Sequence, residues 1–297
     1  MEEKKKDGLA AYLLLVFVLT GAFAYGLIYP AVRRGGSVTA LLTAYMFFPA
    51  LSAVLARLLS REGFADHGLR PRVRGRLGYY ALAWLGPGVL CAVGAGVYFL
   101  LCPGKLDLSG GYLRQIMEAQ GNPYEAQTLP MGTLMAIQVA QGVALGPLLN
   151  LIPSLGEEWG WRQYLYPRLA KRLSPRGAMV LGGVIWGLWH APITALGHNY
   201  GLGYPGFPWA GIGAMCLFCT AMGVLLWWLR EKTGGIIAPA LAHGGLNAVA
   251  AAGMIFTRDG GNPFVGPAPT GILGGLPILL LAALVLFRAG KGSNTNT

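Results

Sequence analysis

Eight stretches of about 20 mostly apolar residues run through the chain, each long enough to cross ~30 Å of hydrocarbon as a helix rising 1.5 Å per residue. They cover residues 9–29, 38–59, 77–101, 131–152, 178–196, 209–229, 236–256 and 271–287. Without water to satisfy the backbone, such runs must close their hydrogen bonds within themselves, which makes them helices. The expected fold is therefore all-α, a polytopic membrane helix bundle of about eight transmembrane helices forming one membrane-embedded domain over residues 1–297. Composition agrees: 54% of residues are hydrophobic and 12% charged, about half the charge of a soluble domain. A soluble enzyme, a disordered tail protein and a secreted disulfide scaffold are argued against by that balance. Cys91, Cys102, Cys216 and Cys219 read as membrane-core thiols, because the Cys-x-x-Cys pair has no second ligand pair nearby. The first run is long and lacks a clean cleavage site, so it is expected to stay in the protein.

The net charge of +11 suggests nucleic acid until its distribution is read. With the amino terminus in the cytosol, eighteen of the 23 Lys and Arg fall on the inner side, among them Lys4–Lys6, Arg57–Arg76, Arg162–Arg176, Arg230, Lys232, Arg288 and Lys291. Only Arg33, Arg34, Lys105, Arg114 and Arg258 fall outside. The positive-inside rule thus places both termini in the cytosol and residues 105–129 outside, in a loop with one short amphipathic helix. Topology and anionic lipid account for the basic balance, and no nucleic-acid partner is expected. The expected location is the plasma membrane of a bacterium or archaeon.

Of twelve acidic residues, ten, including Glu2, Glu3 and Glu125, lie in tails or loops; the exception is Glu157-Glu158, flanked by aromatic residues directly after the fourth run. Ionisable groups at membrane depth are costly and point to function. Two of the four histidines, His190 and His243, also lie inside apolar runs, and Asn247 stands one turn beyond His243 on the same face. Glu157 lies 18 residues before the Ser174-Pro175 turn and His190 15 after it, similar depths on antiparallel helices, so the two can meet. All four polar side chains are expected to line one cavity in the cytosolic half of the membrane.

Spacing assigns roles within this cluster. Glu158 and Arg162 are i, i+4 in the favourable order and form an ion pair. Glu157 points about 100° away, has no charged partner in its own helix and is left to act as a general base on a water shared with His190. His243 and the Asn247 amide can donate to an oxyanion. Alternatively Glu157, His190 and His243 are the ligands of a divalent metal such as zinc; whether any metal takes part stays open, and no other cofactor is expected.

Glu157-Glu158-x-x-x-Arg162, Trp186-x-x-x-His190 and His243-x-x-x-Asn247 resemble, in order and spacing, the motifs of the CPBP family of intramembrane proteases, which contains the type II CAAX prenyl endopeptidases. The family's second motif usually begins with Phe; here it begins with Trp186. The resemblance implies a catalytic core over residues 131–256. There Glu157 and His190 would activate water, His243 and Asn247 would hold the oxyanion, and Glu158, Arg162 and Trp186 would support the geometry. It further implies an intramembrane endopeptidase, glutamate-dependent or metallo, in CAAX-type processing of prenylated proteins or maturation of peptide precursors, taking its peptide bond from the cytosolic side. Membrane lipids and a protein or peptide substrate are the expected partners, with lipidation of the substrate open. A non-catalytic bacteriocin-immunity member of the same family is one alternative. A proton- or cation-coupled transporter using the same Glu and His residues is the other. Gly-x-Ser-x-Gly and His-Glu-x-x-His are absent, and every Asp lies in a tail or loop.

Overall fold

The computed structural model describes residues 7–124 and 127–289. Lys4–Lys6, Glu2, Glu3, Glu125 and Lys291, which entered the charge reading, lie outside the described residues. Among those described there is no β-strand, and helices carry the fold. In chain order they are α1 (Leu9–Phe23), α2 (Tyr29–Arg33), α3 (Thr39–Tyr45), α4 (Phe48–Leu59), α5 (Leu77–Leu101), α6 (Gly111–Ala119), α7 (Met131–Ala144) and α8 (Gly146–Leu149). Then follow α9 (Leu151–Glu158), α10 (Tyr166–Ala170), α11 (Pro175–Trp189), α12 (Ala191–Thr194), α13 (Trp209–Thr233), α14 (Ile237–Val249) and α15 (Leu276–Ala289).

Among the described residues, five stretches are long and apolar enough to cross a membrane: Leu9–Arg33, Thr39–Leu59, Leu77–Leu101, Trp209–Thr233 and Ile237–Phe256. Met131–Ala144 and Leu276–Ala289 are shorter apolar helices, so the bundle is polytopic with fewer full-length spans than the eight apolar runs suggest. The run 131–152 departs most from a single helix. It breaks at Leu145 and again at Asn150, each just ahead of a proline, Pro147 near the start of α8 and Pro153 in the first turn of α9. A proline ring clashes with the carbonyl four residues back and offers no N–H, so the chain restarts twice instead of running through. The last run likewise loses residues 271–275 to a turn.

Packing follows the spacing of buried positions. Tyr12, Val16, Thr20 and Ala24 recur every four residues and place one face of α1 against α4, where Ser52, Ala53 and Ala56 are buried. Ala83, Pro87, Cys91, Ala95 and Tyr98 do the same for α5 against α14. Helices α11 and α13 cross closely because Gly183 and Gly187 lack side chains; a Cβ at either would run into the backbone of Thr220 or Cys216. The expected amphipathic helix in the 105–129 loop is α6, whose Leu113 and Met117 join Met131, Met135 and Ile255 in a separate small apolar cluster.

The two ends of the bundle differ. At one end the 60–76 loop, the start of α1 and the ends of α10, α13 and α15 are tied by cations. Arg57 pairs with Asp66 (2.9 Å), Arg168 with Glu62, Arg172 with Asp7 (2.5 Å), Arg76 donates to the Thr233 carbonyl (2.6 Å) and Arg176 to that of Leu286 (2.8 Å). At the other end lie Lys105, paired with Asp259 (3.6 Å), and turns around 34–38, 197–208 and 257–275.

Candidate active site

Glu157 and Glu158 are the last two residues of α9, and the helix does not continue in α geometry beyond them. Trp159–Leu165 form a π-helical segment, a widened turn that inserts one residue and is frequent at functional sites. Within it Trp161, Arg162, Tyr164 and Leu165 are all fully buried. The expected Glu158–Arg162 pair is present at 3.0 Å, with both side chains at 0% exposure. Arg162 lies 4.2 Å over the Trp186 ring and 5.2 Å from that of Tyr166, while its Nε and second terminal nitrogen have no hydrogen-bond partner. Its charge is therefore compensated by Glu158 and by aromatic faces.

Glu157 is not the partnerless carboxylate that charge spacing suggests. Its Oε2 accepts from two indoles, Trp186 Nε1 at 2.8 Å and Trp161 Nε1 at 3.2 Å, the second from its own helix. The i, i+4 relation of Trp161 to Glu157 was visible in the sequence, but as a neutral donor it left no mark in a count of charges. Two N–H donors hold one oxygen in place and leave Oε1 free, 3.9 Å from His243 Nε2.

Both histidines have one nitrogen committed. His243 Nδ1 lies 2.8 Å from Glu158 Oε1, and a carboxylate only accepts, so Nδ1 carries the proton and Nε2 faces Glu157. His190 caps the end of α11 with Nδ1 2.9 Å from the Trp186 carbonyl; the same reasoning puts a proton there and leaves Nε2 as its open nitrogen. Trp186 thus joins every part of the cluster: indole N–H to Glu157, ring face to Arg162, carbonyl to His190, and an edge contact with His243 at 5.3 Å.

Glu157, Trp186, His190, His243 and Asn247 line one cavity of about 370 Å³. Asn150, at the break before α9, also lines it, as does His198 from the loop after α12. Sequence reasoning left both out: Asn150 carries no charge, and His198 falls in a loop just past the apolar run that carries His190. Along the bundle the cavity stands away from the cationic end. Glu157 is 13 residues from Ala170 and His190 15 from Pro175, about 20 Å along their helices from the cationic end. On that side Trp161, Arg162, Tyr164, Leu165 and Tyr166 close the floor. The exposed lining residues Thr39, Thr43 and Asn199 stand instead at the opposite end.

The proposed metal ligands Glu157, His190 and His243 share the cavity but do not make a ligand cluster; among the described residues no three His, Cys, Asp or Glu converge as a metal ion needs. Two nitrogens and one carboxylate oxygen of that trio are engaged with Trp186, Trp161 and Glu158.

Residues 139–249 match the family model described as Type II CAAX prenyl endopeptidase Rce1-like, which bears out the resemblance carried by the three motifs. The chain is also 28% identical over 146 residues to CAAX prenyl protease 2 of Methanococcus maripaludis. That match takes in 46% of this chain and 47% of the relative, so the chain spans about half the length of the curated relative it matches.

Proposed function

With an Rce1-like core across residues 139–249, we propose that the protein is an intramembrane endopeptidase that hydrolyses a peptide bond with a water activated by Glu157. The observation that carries this reading is the asymmetric hold on Glu157: two indoles fix Oε2, and Oε1 is left toward the cavity and His243. A base must be oriented and yet keep one oxygen for the proton it takes. In the proposed step Oε1 removes a proton from water as its oxygen attacks the peptide carbonyl carbon, with His190 Nε2 accepting from the same water. The carbonyl oxygen becomes an oxyanion that meets His243, as the imidazolium, and the Asn247 amide. When the C–N bond breaks, Glu157 returns its proton to the departing amine. Glu158 and Arg162 act at one remove, by fixing His243 and the floor beneath it.

The metallo form of the activity is not part of this proposal, because the three residues it needs are not gathered as ligands. Proteomics of new amino and carboxyl termini, in cells carrying the wild type or Glu157→Gln, tests the reading. Fragments present with the wild type and missing with the variant are the expected result. Identical terminal fragments in the two strains would show that the cluster does not cleave peptides.

A further inference from the structure

A cavity of about 520 Å³, larger than the one that holds Glu157, lies between α5, α13, α14 and α15. It is a groove in the side of the bundle. Ala83 and Gly86 on α5 and Ala242 on α14 are small enough to leave the room, and Leu225, Leu281 and Leu284 line it. Nothing in the proposed chemistry uses this groove.

Its length and its polar end say what fits. Helices α13 and α15 pack side by side and both finish at the cationic end, α13 under Arg76 and α15 under Arg176. The groove follows α13 from Met222 to Lys232 and α15 from Ile278 to Arg288. Ten residues on each helix rise ~15 Å, which is half of the ~30 Å hydrocarbon core and therefore the depth of one leaflet. At the level where that leaflet's headgroups stand, the lining turns from leucine to Glu231, Lys232 and Arg288. Glu231 is taken by Arg230 at 2.5 Å. Lys232 and Arg288 are exposed, and among the described residues no carboxylate pairs with either. A neutral lipid would cover the walls and leave two cations unmatched, whereas an acidic headgroup matches both.

We propose that this groove binds one anionic phospholipid from the leaflet at the cationic face, with an acyl chain along α13 and α15 and its phosphate held by Lys232 and Arg288. The site has a second consequence. Leu246 belongs to the walls of both the groove and the catalytic cavity, and Ala242 precedes His243. The acyl chain therefore backs the helix that carries His243 and Asn247, and its binding stabilises the folded protein.

Native mass spectrometry and thermal unfolding of the delipidated full chain in detergent test this, with phosphatidylglycerol or phosphatidylcholine added back. Neither readout depends on turnover. The wild type should retain one phosphatidylglycerol at least tenfold more strongly than phosphatidylcholine and unfold at a higher temperature with it. A basic side chain near an anionic surface is worth roughly a factor of five, so Lys232→Gln with Arg288→Gln should abolish the preference. The exposed-position variant Leu281→Trp, which fills the groove, should weaken retention of the lipid itself. Arg70→Gln with Arg74→Gln, which removes exposed cations outside the groove, should change neither. Equal retention of the two lipids by the wild type would overturn the proposal, as would a preference that survives in Lys232→Gln with Arg288→Gln, the result expected if these cations only complement their helix ends. Retention unchanged in Leu281→Trp, or a dimer mass in place of a lipid adduct, would remove the acyl chain from the groove and overturn it as well.

Discussion

The two ends of this bundle solve opposite problems. At the cationic end, Arg57, Arg168 and Arg172 pair with carboxylates, Arg76 and Arg176 are bonded to carbonyls, and the layer beneath them is closed by Trp161, Tyr164 and Tyr166. At the other end the connections are turns rich in glycine, and the polar residues at the cavity mouth are neutral and partly exposed. Rigidity sits below the carboxylates and access above them. A catalytic carboxylate needs both, because a base that is held but unreachable does nothing, and one that is reachable but loose is seldom in position.

Substitutions in the floor are the largest test of this contrast. Arg162→Ala leaves Glu158 buried with His243 as its remaining partner, and breaking such a pair typically costs ~3 to 5 kcal/mol. Thermal unfolding in detergent should show that loss, together with loss of activity. A stability within about 1 kcal/mol of wild type would mean that the floor is held by aromatic packing rather than by the ion pair.

On the open side, Asn247→Ala should leave folding intact, since this side chain is exposed to the cavity. Removing one oxyanion donor costs roughly 10² to 10³ in kcat with little change in KM. Steady-state kinetics on a substrate found by fragment mapping would measure it, and an effect confined to KM would assign Asn247 to binding instead.

Trp186→Phe comes next in size. It installs the residue more usual in the CPBP family at this position and removes the 2.8 Å indole bond to Glu157, while Trp161 keeps its own. A hydrogen bond to a charged group contributes ~1.5 to 3 kcal/mol, so kcat should fall roughly tenfold or more, with less destabilisation than Arg162→Ala causes. Unchanged turnover would show that one indole suffices to orient the base.

The smallest effect concerns the loop clamp. Burial pushes the Asp66 carboxyl up, but the hydrogen bond and charge of Arg57 outweigh it and hold the group below the usual carboxylate range. A carboxylate with a lowered folded value lends stability that is present above the unfolded value near ~3.9 and is lost as pH falls through the folded one. Asp66→Asn should therefore lower stability slightly at neutral pH and flatten its decline below about pH 4. An unfolding curve with the same acid limb as wild type would remove Asp66 from the clamp.

The sequence displayed the motifs better than it displayed their surroundings. Glu158 and Arg162 meet at 3.0 Å because i, i+4 spacing is a local property that survives into the fold. His190, His243, Asn247 and Glu157 share a cavity because their depths could be counted from the turns. The bond from Trp161 was missed because reasoning in charges overlooks a neutral donor one helical turn away. The break at Leu145 was missed because hydropathy averages over Pro147. The rest of the cavity lining comes from outside the motifs, Thr39 at the start of α3 and His198 in the loop after α12 among them, and no periodicity reports that.

Glu157 as the base is tested most directly by measuring terminal-fragment yield and unfolding temperature on the same preparations of wild type, Glu157→Gln and Glu158→Gln. Gln at position 157 can still accept from both indoles, so its unfolding temperature should stay close to that of wild type while fragment yield falls to background. Gln at position 158 strips the buried Arg162 of its counter-charge and should lower both. Fragment yield near the wild-type level from folded Glu157→Gln would contradict the assignment of Glu157 as the base.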